Sequence, residues 1–373
     1  PPMTERAAEP TGPGGTFLTQ GHEAALAAVR RAVVSQHPPH ALLLVGPRGV
    51  GKTTLALDLA AGLQCLADDP ATRPCRDCAA CRKVEADNHA DLHLVEPEGA
   101  GEQIRIAQVQ GLASELALTA MEGRFRVAVI TAAQRLNLDA QNALLKTLEE
   151  PGPATVLVLC ADDAAPLLPT VLSRTARLRL APAPVGVLTD LLIAGEHAQP
   201  AQARALALAA GGRTGLAIRL STQPEAVIAR ARISHTLLEL ITADRRTRLG
   251  AATELIADGA AVDAALRGEV APSGKLQPLE RRRAVTLVID VWRDLGRDLA
   301  VAAEGEGKGV RDLDQLEELL ELAPRIDPTA LRRFLDRLDR LTLAIEGYAS
   351  PELTLDALLL TWPRPHTKGR AAA

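Results

Sequence analysis

At 373 residues the chain is long enough for two or three domains. Its 42 Lys plus Arg against 46 Asp plus Glu leave a net charge of −4, which does not by itself mark a nucleic-acid binder, and no run approaches the ~18 uninterrupted apolar residues of a membrane span. Apolar residues reach 47% but aromatics only 2%, so the cores must be assembled from Leu, Val, Ile and Ala, a composition that favours helices. With no charged-then-apolar leader ahead of the first domain, a soluble cytoplasmic protein is expected. The opening residues, rich in Pro, Gly and Thr, predict a disordered tail over 1–17, and 366–373 reads the same way.

The first structural signal is the apolar run Ala41-Leu42-Leu43-Leu44-Val45, followed by Gly46-Pro47-Arg48-Gly49-Val50-Gly51-Lys52-Thr53 and then by a helix-forming stretch from Thr54. This is the complete G-x-x-x-x-G-K-[ST] phosphate loop in its strand-loop-helix setting. The glycines let backbone N–H groups crowd around phosphate oxygens, the helix N-terminus adds positive potential, Lys52 reaches the outer phosphates and Thr53 can ligate Mg2+. Gly46, Pro47, Gly49, Val50, Gly51, Lys52, Thr53 and Thr54 are therefore the candidate nucleotide-binding set, for ATP or ADP with Mg2+.

Next come Cys65, Cys75, Cys78 and Cys81, a C-x9-C-x2-C-x2-C array with turn formers between its members. Four thiolates at this spacing can converge on Zn2+ and leave no open coordination position, so a structural zinc site is expected; disulfide pairing is the competing reading. Cys160 stands alone in an apolar run and reads as a buried core residue.

A short strand at Asp91–Pro97 and a helix around Val109–Leu118 lead to a second strong strand, Val127-Ala128-Val129-Ile130. A phosphate loop that hydrolyses needs a carboxylate at the end of a second strand to hold Mg2+ and another group to orient water. Here that strand ends in Thr131, Ala132, Ala133 and Gln134, which offer a hydroxyl, two methyl groups and an amide. The chain is thus built to hold a nucleotide and badly equipped to cleave it, unless Asp162 and Asp163, ending the later run Thr155–Cys160, supply the missing acids. A helix is predicted from Asn137, a capping residue, to Pro151, with polar Gln141 interrupting its apolar stripe. The alternation of strand and helix from 41 to 180 predicts an α/β domain, a parallel sheet with helices on both faces.

The phosphate loop, the four cysteines, Asn142-Ala143-Leu144-Leu145-Lys146-Thr147-Leu148-Glu149-Glu150-Pro151 and Leu172-Ser173-Arg174 together resemble the clamp-loader subunits of bacterial DNA polymerase III, of the AAA+ superfamily, and most closely their delta-prime branch. The resemblance runs from about Leu18 to about Trp362. It implies an AAA+ domain over 18–181 with the cysteine module at 65–81, a small helical lid over 182–222, and an all-α collar over 223–365 through which subunits assemble. It also implies a hetero-pentameric ring with gamma/tau and delta subunits, a sliding clamp and primed DNA as partners, and no membrane. In that family the motor subunits keep the acids that Thr131 and Ala132 replace here, so this chain is expected not to act as an ATPase on its own; a gamma/tau-like motor is the alternative. A zinc-dependent nucleic-acid-binding protein with a vestigial loop is the third.

By the same resemblance Ser173-Arg174-Thr175 stands for the family's Ser-Arg-Cys motif, and Arg174 is the candidate catalytic residue, an arginine finger reaching ATP in a neighbouring subunit. A planar, permanently charged guanidinium suits that work. Its alternative is an ion pair with an acid of its own chain. The motor members' nucleotide-sensing Arg aligns with Gly215, with Arg213 two residues away. Beyond Pro184 the strand signals disappear, and long helices are predicted from Pro278, carrying Val288, Val291, Trp292, Leu295 and Leu299, and through Leu331, Leu335, Leu338 and Leu341. A mobile loop is expected at Glu304–Val310, and Arg281-Arg282-Arg283 reads as a solvated helix face.

Overall fold

The computed structural model describes residues 15–365 apart from 99–101, 153, 273, 306–308, 312–314 and 347–348. Most of the two expected tails and the middle of the expected 304–310 loop lie outside the described residues. The chain divides into two compact units, Pro1–Ala183 and Pro184–Ala373.

The first unit holds five strands, β1 (Ala41–Val45), β2 (Leu92–Val95), β3 (Arg126–Ile130), β4 (Thr155–Ala161) and β5 (Ala176–Arg179), all parallel and ordered β2-β3-β4-β1-β5. Its helices are α1 (Glu23–Ser35), α2 (Lys52–Gln64), α3 (Ala79–Glu85), α4 (Ile106–Leu116), α5 (Leu138–Glu149) and the single turn α6 (Pro169–Leu172). Because successive side chains in a strand point to opposite faces, the continuous apolar runs of β1, β3 and β4 feed two cores at once. Leu42, Leu44, Val127, Val129, Val156 and Val158 pack with Val29 and Val33 of α1 and Leu55 and Leu59 of α2. Leu43, Ala128, Ile130, Leu157 and Leu159 pack with Val109 and Leu112 of α4 and Leu144 and Leu148 of α5. This is the predicted α/β architecture, a parallel sheet covered by helices on both faces.

α5 starts where the capping residue foretold, with the Asn137 side chain accepting the Ala140 N–H at 2.8 Å. The polar interruption of its stripe has a use. Gln141 is buried; its Nε2 donates to the carbonyls of Leu136 and Pro166, both at 3.1 Å, and its Oε1 accepts from Leu168 N–H at 2.7 Å. It thereby staples the segment that leads into α6.

The second unit is helical: α7 (Val185–Ala194), α8 (Pro200–Ala209), α9 (Thr214–Thr222), α10 (Pro224–Glu239), α11 (Arg245–Gly250), α12 (Ala252–Leu266), α13 (Pro278–Ala303), α14 (Leu316–Leu322), α15 (Pro328–Glu346) and α16 (Pro351–Thr361). Prolines open α8, α10, α13 and α16, where the missing N–H costs nothing. Both tryptophans meet here: Trp292 lies 5.2 Å from Phe334 and 5.3 Å from Trp362, ring centre to ring centre, and Trp362 Nε1 donates to Leu237 O at 2.9 Å. Arg248 is buried and donates to the carbonyls of Ile241, Leu359 and Trp362 at 2.8, 3.2 and 2.7 Å, tying the end of α10 to the end of α16. Burial pushes its guanidinium down to about 10.

Two sequence expectations need restating. Arg281–Arg283 is half-buried and not a freely solvated face; Arg281 pairs with Glu352 of α16 at 2.9 Å. Arg213, at the start of α9, is committed to Ala210 O and to Asp294, and Asp294 also binds Arg230 and Arg311. Burial opposes ionisation of Asp294, but the three guanidinium groups outweigh it and hold the carboxyl below its ordinary range.

Removing one ring from the aromatic trio tests this core. Trp292→Ala is expected to cost the second unit about 3–5 kcal/mol. Denaturant unfolding followed by the fluorescence of Trp362, the other tryptophan of the chain, reads that unit alone.

Candidate nucleotide cradle and cysteine cluster

The phosphate loop sits at the carboxyl end of β1, with β4 on one side and β5 on the other. Gly46 N–H donates to Ala161 O at 3.1 Å, and a Cβ at Gly46 would lie 2.1 Å from Leu180 O, so only glycine fits between the two flanking strands. Gly49 and Gly51 have φ of 82° and 110°, the left-handed region glycine enters without penalty. Gly51 is the N-cap of α2 and supplies no capping side chain, so the N–H groups of the first turn face the loop's interior without one. These are the features an anionic phosphate needs. Val50 is fully buried, and its carbonyl is hydrogen-bonded to Nε2 of buried His22 at 2.9 Å, a tie from the N-terminal segment that the sequence did not signal. Thr53 and Thr54 are half-buried, and the Thr53 side chain bonds the thiol of Cys160. Burial pushes that thiol up to about 12, as fits the core role expected of Cys160.

Lys52 Nζ lies 2.6 Å from Gly46 O, 3.1 Å from Pro47 O and 2.7 Å from Asp162 Oδ1. The carboxylate's other oxygen accepts from Gln134 Nε2 at 3.0 Å, and Gln134 Oε1 accepts the Asp162 N–H at 3.2 Å. The cleft therefore does contain an acid. It comes from the end of β4, which lies between β1 and β3, and of the two aspartates left open by the sequence it is Asp162; Asp163 accepts from Ala165 N–H in the following turn. At the end of β3 the residues are as read: Thr131 Oγ1 contacts Val95 O at 3.4 Å, Ala133 is buried, and neither they nor Ala132 carries a carboxylate.

The four cysteines converge. One sulfur from each of Cys65, Cys75, Cys78 and Cys81 lies within 4.8 Å of every other, and none is in a disulfide. A tetrahedral ion with bonds of about 2.3 Å wants sulfurs about 3.8 Å apart, so a small contraction closes the site. Backbone N–H groups already point at the sulfurs, from Cys75 to Cys65, Cys78 to Cys75 and Cys81 to Cys78, each at 3.4 Å. Burial works against the Cys78 thiolate, but the N–H groups of Leu66 and Cys81 prevail and bring that thiol down to about 6. Burial dominates at Cys65 and Cys81 and raises both. The cluster can hold a metal ion.

Arg174 follows α6 and is partly exposed. Its Nη2 lies 2.7 Å from Glu149 Oε1, and its Nη1 donates to Thr170 O at 3.1 Å. The own-chain ion pair that the sequence left open is present, with the acid supplied by the Asn142–Pro151 block. Thr175, which departs from the resembled motif, spends its hydroxyl on Leu172 O at 3.2 Å.

The family model described as "DNA polymerase III, delta subunit" matches residues 21–184. The chain is 36% identical to the DNA polymerase III subunit delta' of Bacillus subtilis over 194 residues, 52% of this chain and 57% of that one. It is 43% identical to the delta' subunit of Pseudomonas aeruginosa over 140 residues, 38% of this chain and 42% of that one. A tau subunit from Escherichia coli is 35% identical over 160 residues, 43% of this chain and 24% of its own. The matched stretch thus spans about half the length of the delta' relatives. A DNA polymerase III gamma subunit-related protein from Thermotoga maritima superposes with a TM-score of 0.46 at 16% identity, over 91% of this chain and 98% of that one. Through residues 21–184 this chain is thus similar to the DNA polymerase III delta-subunit family model, and the relatives it resembles there include DNA polymerase III delta' subunits.

Proposed function

We propose that the chain is a clamp-loader subunit that cradles nucleotide without hydrolysing it and lends Arg174 to the ATP of a neighbouring gamma/tau subunit. The observation that carries this reading is the pairing of an intact anion cradle with a β3 end that has no carboxylate. When bound, ATP or ADP with Mg2+ would place phosphates at the start of α2, where Gly49, Gly51, Lys52 and Thr53 line the cradle. In this reading residues 18–181 form the nucleotide-binding domain, 182–222 the lid and 223–365 the collar of a hetero-pentameric ring with gamma/tau and delta. The ring then loads a sliding clamp onto primed DNA in the cytoplasm. No described helix is long and apolar enough to cross a membrane.

The arginine's role rests on how little holds it in its own chain. Arg174 and Glu149 are both substantially solvated, and an ion pair of that kind is worth at most about 1 kcal/mol. A phosphate presented by a neighbour would outcompete the carboxylate, because it too accepts a bidentate guanidinium and carries more charge. In a complex assembled with gamma/tau and delta subunits, Arg174→Ala is expected to reduce DNA-stimulated ATP turnover at least tenfold; an unchanged rate would remove the in-trans role.

Asp162 favours a second reading, that of a motor in its own right. Both oxygens of its carboxylate are engaged, by Lys52 and Gln134, which leaves it poorly placed to hold Mg2+. Steady ATP turnover by the purified chain, abolished by Lys52→Ala, would decide for the motor; none is expected.

For the cysteines we infer structural zinc. The purified chain is expected to carry a single zinc ion that Cys78→Ser lowers to a small fraction, with a fall in the melting temperature of the first unit that chelators reproduce in the unsubstituted chain. Elemental analysis beside thermal unfolding checks this.

A further inference from the structure

A lysine ammonium has three N–H bonds to give. Lys52 has three acceptors in reach, two of them carbonyls of the loop itself and the third the carboxylate of Asp162. Its side chain is 7% exposed, so water has little access, while that of Asp162 is 41% exposed and is the partner with room to leave. The carboxylate is aimed: Gln134 holds its second oxygen through Nε2 and its backbone N–H through Oε1, a two-point clamp from the end of β3. In a cradle whose other components are backbone N–H groups at a helix start, the place of a phosphate oxygen on Lys52 is already taken by an anion of the same chain.

We propose that Asp162 is an internal counter-ion that lowers the affinity of this loop for nucleotide, with Gln134 as the residue that positions it. Any phosphate that reaches Lys52 must displace the carboxylate and then tolerate it as a neighbour of like charge. The proposal rests on the nucleotide-binding reading of the loop and is independent of the role given to Arg174.

Asp162→Asn keeps the shape and removes the charge. Calorimetric titration of the full chain with ADP and with ATP, each in Mg2+ and in EDTA, is expected to show binding tightened about three- to tenfold by Asp162→Asn under both conditions, the scale of a partly screened ion pair. Gln134→Ala, which frees the carboxylate without altering the cradle, is expected to tighten binding by a smaller factor and guards against a fold defect at 162. Unchanged affinity in both variants, or no binding by any form, overturns the proposal. So does weaker binding of Asp162→Asn seen in Mg2+ and abolished in EDTA, which would make Asp162 a metal ligand. None of these results bears on the ring assay with Arg174→Ala, so the two readings fail separately.

Discussion

One buried carboxylate organises the first unit. Asp58 lies on α2 and is fully removed from solvent, a position too costly for an unpaired charge. It accepts the backbone N–H groups of Leu18 and Thr19 at 3.0 and 2.8 Å and the guanidinium of Arg76, which lies between the second and third cysteines. Arg76 in turn donates through Nε to Thr16 O at 2.9 Å. Two remote stretches of chain, residues 16–19 and the cysteine module, are thereby fixed to the helix that begins at the phosphate loop and ends one residue before Cys65. Breaking such a pair leaves a bare charge in the interior, at a cost of about 3–5 kcal/mol. The cysteine module is therefore no appendage: through Arg76 it is tied to the helix whose first turn makes the cradle. Gly62 permits the same helix to press on α1, since a Cβ there would lie 2.5 Å from Val33 Cγ2.

The cradle and the chemistry beside it diverge. Glycines held at left-handed φ lose conformational freedom on folding, a cost that makes sense where backbone N–H groups must converge. The neighbouring strand ends are spent differently. Thr131 faces the Val95 carbonyl, Ala133 belongs to the core under α5, and Gln134 reaches across to the end of β4. Side chains that elsewhere in a cleft would meet metal and water are here engaged in packing and in orienting a single aspartate. The cleft is thus organised around a lysine and its own counter-ion.

How much of this was legible follows from sequence distance. The loop, the cysteine spacing, the Asn137 cap and the two-sided apolar strands are local patterns, and each stands where its pattern put it. The Lys52–Asp162 contact joins residues 110 apart and depends on β4 lying beside β1, a strand order that alternation of strand and helix does not encode. Gln141 announced itself only as a flaw in a stripe; its partners at Pro166 and Leu168 lie in a loop without periodicity. The second unit shows the same limit. Trp292 fell on a predicted stripe, whereas Phe334 and Trp362 join it only because α13, α15 and the end of α16 converge. The arginine run at 281–283 resembled a solvated face because Glu352, its partner, is 71 residues from Arg281.

The arginines of the first unit differ in what it takes to move them. Arg126 is buried and bonded to the carbonyls of Thr119 and Glu115, and it helps hold Asp91, whose carboxylate receives the N–H groups of Met121, Glu122 and Gly123. Arg73 closes on Ala67 O and Arg76 on Asp58, so both belong to the cysteine module. Withdrawing any of these would strand a buried polar group. Arg174 is built otherwise. Its acid partner is exposed, its remaining contacts are to Thr170 one turn earlier and to the adjacent Ser173, and Gln141 binds the segment leading to it at Leu168. Releasing this guanidinium strands no buried polar group, because only a solvated ion pair has to be given up.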